Sequence, residues 1–317
     1  MRTAGGPMKT AGAVLGAALA LGLAPAVLSS YQLGLLTKML ILAIFAMSLN
    51  LILGYGGLPS LGHAAYFGTA GYTAGLLAVR GLDHVWLGIG AGIAAAAVTA
   101  ALFGLLALRT GGAYFLMITL ALAQVLWGIS FGWRSVTGGD DGLPGVPRPA
   151  AGLPWSLADG VPFYYFVLVV FALATACAWS IVHSAFGRAL VGIRENERRM
   201  EVLGYNTWAH KYVAFVLAGA LAGVAGVLFV YFNGFVSPAD LSVVVSATGL
   251  IMVILGGAGT LLGPAVGSGT IILLENAISA YTQRWVLVLG LIYVGVTLFA
   301  PAGILGLLRP RPRVRTP

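Results

Sequence analysis

Charge is scarce in this chain: 17 Lys and Arg and nine Asp and Glu amount to 8% of 317 residues, where a soluble domain carries about 25%. A water-facing surface cannot be built from so few ionised groups, so lipid is the solvent for most of the exterior. Cysteine is scarcer still. Cys177 is alone and sits inside an apolar run, which excludes a disulfide framework and a cysteine-based metal site. No lysine completes a phosphate-binding G-x-x-x-x-G-K-[ST] loop, and there is no H-E-x-x-H and no candidate nucleophile triad. No catalytic residue, cofactor or metal is therefore expected. If solute moves uphill, an ion gradient or another subunit must supply the energy. Ion-coupled carriers bury carboxylates or histidines as relays. Here Glu275 is the only acid near a span interior, which argues against a secondary carrier.

What the chain has is apolar length. Hydrophobic residues make up 59% of it. Stretches free of Lys, Arg, Asp and Glu cover 10–37, 39–79, 84–108, 110–133, 160–187, 212–239, 241–274 and 285–308. About 20 apolar residues cross the hydrocarbon at about 1.5 Å rise each. Most runs are thus one span, and the two longest, broken by Gly and Pro, are two. Spans are expected near 11–30, 37–54, 61–80, 85–108, 111–133, 161–186, 212–236, 241–257, 263–283 and 285–308. The segments are apolar all round, not alternating, so a β-barrel is excluded. The expected fold is an all-α polytopic membrane bundle of about ten spans, a single permease domain over 1–317. The first run resembles a signal peptide but lacks a convincing cleavage site and is read as a retained helix.

The net charge of +8 would suggest nucleic acid in a soluble protein. In a membrane protein the placement of charge matters more, and no nucleic-acid partner is expected. In the ten-span scheme Arg2, Lys9, Arg109, Arg188, Arg194, Arg198, Arg199, Lys211 and the basic tail 309–317 share one face. The other face receives Asp83, Asp140, Asp141, Asp159 and Asp240. The positive face is cytoplasmic, with both termini on it. Lys38 fits poorly, and is expected to snorkel to the outer interface. Residues 134–160, rich in Gly, Pro and Asp, form an ordered periplasmic loop with turns. Residues 187–211 hold eight charged residues, with Leu190, Ile193, Met200 and Leu203 at helical spacing and Gly204 as a stop. They make one or two short amphipathic helices on the cytoplasmic surface. A solvated loop is the plain reading of such a segment. Apolar anchors flanked by balanced charge suit a helix docked in a partner's groove instead.

Leu53–Gly62 and Leu255–Pro264 echo each other as Gly-rich breaks near the cytoplasmic side. Paired breaks in two halves of a transporter can mark a solute path, although glycine is abundant here. His63 after the first break reads first as structural. Asn50, Tyr55, Tyr66, Tyr72, Tyr114, Gln124 and Asn233 lie within spans and can line a path or cross-link helices, the commoner use. Gly219, Gly223, Ala222 and Gly226 favour close helix packing.

At these residues the chain resembles a known family. Leu49–Tyr72, Gly112–Gln124, Thr137–Gly142 (TGGDDG), Phe186–Asn206 (FGRALVGIRENERRMEVLGYN), Met252–Pro264 and the ending LFAPAGILGLL are similar, in order, to the LivM-type permease subunit of branched-chain amino acid ABC importers. The 186–206 block is the most specific. Leu58-Pro59 departs from the pattern, where glutamine and an apolar residue are expected. The resemblance implies a vitamin-B12-importer-like fold in a bacterial inner membrane. It also implies a second, LivH-type permease, two cytoplasmic ATPases and a periplasmic amino-acid-binding protein as partners. Coupling to an ATPase would then fall on Gly187, Arg188, Ile193, Arg194, Glu195, Asn196, Glu197, Arg198, Arg199, Met200 and Gly204. Candidate path residues are Asn50, Tyr55, Gly57, Ser60, His63, Tyr66, Gln124, Gly256 and Gly257. The solute would be leucine, isoleucine or valine. Importers for urea, short amides or other amino acids share this architecture.

The orientation is directly testable. With Cys177 replaced, a cysteine at Ser135 is expected to react with an impermeant maleimide from outside. One at Asn196 is expected to react only after permeabilisation. Labelling of Asn196 in sealed cells would refute the scheme.

Overall fold

A computed structural model describes residues 16, 19–82, 84–148, 156–281, 287–288, 290–291, 294–295 and 303–307. Much of the expected first and tenth spans, residues 149–155 of the outer loop and the tail 309–317 lie outside these.

The helices follow the charge-free runs closely. They are α1 (Ser30–Asn50), α2 (His63–Val79), α3 (Val85–Ala107), α4 (Gly112–Gly132), the single turn α5 (Arg134–Thr137) and α6 (Gly160–His183). After them come α7 (Ala185–Glu195), α8 (Glu197–Val202), α9 (Thr207–Asn233), α10 (Val243–Gly256), α11 (Gly263–Ser279) and α12 (Gly303–Leu307). Among the described residues, five stretches are long and apolar enough to cross a membrane: 30–55, 85–107, 112–132, 160–183 and 207–233. α2, α10 and α11 are apolar but shorter. The second span was expected to begin at 37, yet α1 starts seven residues earlier. Ser29 caps it, accepting from the Gln32 N–H, while Gln32 accepts from the Ser29 N–H at 3.0 Å. That capping box satisfies two N–H groups that would otherwise be left free at a helix end.

α1 and α9 are the inner helices and α4 and α6 the outer ones. In their most apolar windows 72% and 61% of residues are buried for α1 and α9, against 22% and 17% for α4 and α6. The exposed side chains of the outer helices are themselves apolar, as Met117, Val125, Val169 and Leu173 show. That is the pattern lipid requires. Small residues let α9 lie against α2 and α3. A Cβ on Gly223 would come within 2.6 Å of Ala96 Cβ, and one on Gly226 within 2.0 Å of the Phe67 carbonyl. Backbones that close gain dispersion contacts which bulkier side chains would prevent.

The two ends of the bundle differ. At one end residues 143–144 pair antiparallel with 235–236 (Leu143↔Val236, Pro144↔Phe235), a ladder that the sequence did not announce. Arg148 ties this loop down by donating to Tyr231 O at 3.2 Å and to Ala158 O at 2.8 Å, with its guanidinium over the Phe163 ring. At the opposite end, α7 and α8 connect α6 to α9. Gly204, at φ +88°, stops α8, and the Tyr205 N–H returns to Met200 O at 3.0 Å.

Candidate coupling and translocation site

The two Gly-rich breaks meet at the α7 end of the bundle. α1 does not stop at Asn50 but widens into a π-turn, Leu51–Tyr55. The chain then reverses at Gly57, whose φ of +70° disfavours a side chain, and the Leu58 N–H donates back to Ile52 O at 2.9 Å. The second break leaves α10 at Gly257 (φ +113°) and re-enters helix at Gly263.

One side chain joins them. The Asn50 amide donates through Nδ2 to Thr260 O at 2.9 Å, and its Oδ1 accepts from the Gly259 N–H at 2.9 Å. An amide offers a donor and an acceptor side by side, so Asn50 satisfies unwound backbone from the other half of the chain. Gly54 makes room for it, since a Cβ there would lie 2.0 Å from Asn50 Oδ1 and 2.3 Å from Gly259 N.

Arg194 of α7 reaches the same junction. Its guanidinium donates to the Gly54 carbonyl through Nη1. A Cβ on Gly57 would strike Arg194 Cγ at 2.6 Å, and one on Gly259 would sit 3.3 Å from the guanidinium. α7 is anchored beside it by Leu190 and Ile193, both buried, with Leu190 clustering with Tyr55 and Ala214. Gly187 packs where a Cβ would be 2.3 Å from Val182 O. The amphipathic face expected to fit a partner's groove is therefore turned onto the protein's own bundle. Met200 is used internally as well, lying over Gly192 with its sulfur 2.9 Å from where a Cβ would be.

What remains outward is a different set. Glu197 pairs with Lys211 at 2.5 Å and Glu201 accepts from Thr207 at 3.1 Å, tying α8 to α9. Arg188 donates to His183 O at 2.7 Å. Glu195, Asn196, Arg198 and Arg199 are exposed, and so are Val202 (89%) and Leu203 (65%). Val202 carried no sequence signal, because it is off the helical stripe that drew attention to Leu203.

Most of the other candidate path residues lie inside the fold. Ser60, His63 and Tyr66 are fully buried. Ser48 Oγ donates to Phe45 O at 2.6 Å, so it accepts from His63 Nε2 at 2.8 Å, which fixes the proton on Nε2. Ser60 Oγ accepts from the Gly62 N–H at 3.2 Å, and Tyr66 packs edge-on against Phe103 and Phe215. Tyr55, Gly256 and Gly257 are buried, whereas Gly57 is exposed. Gln124 stands apart from this group, exposed on α4. The structure thus brings Asn50, Tyr55, Gly57, Gly257 and Arg194 to one junction, and places Gln124 on an open face.

A multi-helix bundle with a charged appendage wired to two interrupted helices is the build of a membrane permease. The family model for the permease component of branched-chain amino acid transport systems matches residues 31–300, and the chain belongs to that family. It is 28% identical over 92% of its length to the high-affinity branched-chain amino acid transport permease LivM of Escherichia coli K12, covering 74% of that protein. It is 25% identical to LivH of the same organism, over 86% of this chain and 92% of that protein. The autoinducer 2 import permease LsrC of E. coli O9:H4 is 28% identical over 60% of this chain and 58% of that protein. No solved structure matches the chain.

Removing the Asn50 amide strands a buried N–H and a carbonyl, a loss of about 1–3 kcal/mol. Asn50→Ala is expected to lower the thermal midpoint of the purified chain in detergent, and Asn50→Asp, which cannot donate to Thr260 O when ionised, to lower it as well. Arg194→Met should leave that midpoint nearly unchanged, since a single exposed-side hydrogen bond is lost, yet abolish transport. Full transport by Arg194→Met would show that the junction does not transmit motion.

Proposed function

We propose that this chain is the LivM-type permease subunit of an ATP-driven importer for leucine, isoleucine and valine in a bacterial inner membrane. It spans the bilayer about ten times with both termini in the cytoplasm, in a vitamin-B12-importer-like arrangement. A LivH-type permease would complete the path, two ATPases would bind the α7–α8 end, and a periplasmic amino-acid-binding protein would deliver solute at the opposite end. The chain itself would do no covalent chemistry.

The observation that carries this reading is the seating of the exposed Arg194 across two joined helix breaks, bonded to Gly54 O and lying over Gly57, in a chain of this family. A displacement of α7 moves Arg194 against Gly54 and Gly57, and through Asn50 it reaches Gly259 and Thr260. One push at the surface is thereby delivered to both breaks at once. The exposed Glu195, Asn196, Arg198, Arg199, Val202 and Leu203 supply an apolar knob with an ionic rim for an ATPase groove. The amide of Gln124, exposed on α4 among Met117 and Val125, is costly against lipid. It favours that face for the second permease and the path between them.

A second reading keeps the mechanism and changes the solute. The likeness to a permease named for autoinducer 2 import supports an architecture that serves unrelated cargo, and urea, short amides and other amino acids belong in the same comparison. The two are separated by ATP hydrolysis in proteoliposomes holding both permeases and the ATPases, with the binding protein added. Leucine, isoleucine or valine is expected to stimulate hydrolysis severalfold. Stimulation by urea or ribose but not by leucine would overturn the solute assignment. In the same preparation Val202→Glu with Leu203→Glu should remove the ATPases from the purified complex. Their full retention would overturn the docking surface.

A further inference from the structure

Lys38 is paired across the bundle. It sits two turns inside α1, and its Nζ lies 4.0 Å from Glu275 Oε1 on α11, each side chain one-third exposed. A charged pair among apolar spans is a functional signal by default, because desolvating it is expensive. Its geometry is more telling. A direct charge-assisted hydrogen bond between lysine and carboxylate is about 2.7–2.9 Å long, and Lys211 and Glu197 make such direct contact. The Lys38–Glu275 pair stands open by more than 1 Å, although α1 and α11 are held together on either side of it. Tyr31 donates to Asn276 at 2.5 Å, and Ser268 donates to Met39 O at 3.2 Å.

The open pair borders a cavity of about 190 Å³ that also receives Asp240. Asp240 lies in the short turn before α10, held by the Ser237 N–H at 2.9 Å. Burial pushes its carboxyl upward and that hydrogen bond pulls partly back. Deeper in, the wall is aromatic. Phe45, Phe67 and Phe229 form a run with ring centroids 5.0 and 5.2 Å apart. Thr248 lines the cavity midway along α10, where its hydroxyl is spent on Val244 O. One cation and two carboxyl groups thus sit toward the mouth and three phenyl rings toward the floor. The cavity is smaller than the roughly 300–1,000 Å³ of drug-sized sites, which suits a solute of few atoms.

We propose that this cavity is a binding site within the permease for a zwitterionic aliphatic amino acid. Lys38 takes the carboxylate, Glu275 and Asp240 take the ammonium, and the phenylalanine wall takes the side chain. The ligand would lie alongside the ion pair and bridge it, so neither charge is left unpaired in either state. A sugar, having no charge, could not do this. A lone amine or acid could satisfy only half. The site deepens the importer reading and rests on it. It lies at the end away from α7, and its floor residue Phe45 packs on His63, at 5.4 Å between ring centroids. The cavity is therefore closed toward the joined breaks.

The test is protection of a reporter cysteine in the assembled complex of both permeases and the ATPases. Thr248→Cys, with Cys177→Ser, is alkylated by a small maleimide with and without saturating leucine, and separately with ribose. Leucine is expected to slow the reaction at least about tenfold, a difference of about 1.4 kcal/mol, and ribose to leave it unchanged. Adding Lys38→Met and Glu275→Gln together avoids leaving one charge unpaired and should abolish the protection while the complex still assembles. A purely structural pair predicts the same protection in that double variant, which would overturn the proposal. So would the absence of leucine protection, as expected of a lipid-filled cavity, in a complex whose ATPases still respond to leucine. The importer reading is judged separately, by ATP hydrolysis: a complex unresponsive to leucine that nonetheless shows leucine protection would sink that reading and leave the site standing.

Discussion

Backbone that is not helical has no water to turn to inside a bilayer, so each of its N–H and C=O groups must be met by the protein. Two such stretches, following Asn50 and Gly256, lie at one end of this bundle; the first is closed by its own chain and by Arg194, and the second takes both its cross-bonds from Asn50. The Asn50 amide is the joint. It sits on α1 and bonds the backbone of residues 259 and 260, so the two breaks cannot separate without stranding polar groups. Around this joint the glycines follow of necessity. Gly54 leaves space for the amide itself. Gly256 leaves space for the chain at Gly263, whose carbonyl would lie 1.8 Å from an added Cβ.

A joint of this kind is stiff in itself but movable as a unit, and α7 is the lever set against it. The helix is amphipathic, and its apolar face is buried on its own subunit through Leu190 and Ile193. This orientation suits force transmission better than the reverse. A helix that spent its apolar face on a partner would be held to the bundle by charges alone, and exposed ion pairs hold with only about 0–1 kcal/mol. Docking through Val202 and Leu203 leaves the attachment of α7 intact while the partner moves.

The sequence made the helices legible because desolvation of charge is so costly that ionised residues fall almost wholly between spans. Ends were less legible. The start of α1 at Ser30 rests on a local capping box within an apolar run, where charge gives no mark. The π-turn at Leu51–Tyr55 leaves no compositional trace. The weak echo of 53–62 and 255–264 proved to be a spatial meeting, but spacing cannot say that two breaks touch. Periodicity likewise revealed the stripe of Leu190, Ile193, Met200 and Leu203 without telling which neighbour it would face. Lys38 gave no hint of a partner for the same reason. Its partner is Glu275, 237 positions later, and only the fold brings them together.

That pairing changes how the bundle's interior is understood. A single strong charge on the route would trap an aliphatic zwitterion. Two opposite charges held apart escape the objection. Each attracts one terminus of a zwitterion, and when the solute leaves, each still has the other nearby, so departure uncovers no isolated charge. The same distance therefore serves entry and release. It is maintained because α1 and α11 are fixed above and below by Tyr31–Asn276 and Ser268–Met39. A shift of α1 driven from the joint at Asn50, about three turns along the same helix, would alter that distance directly. The joint and the lysine of the ion pair thus lie on one continuous helix, with the surface lever set against its end.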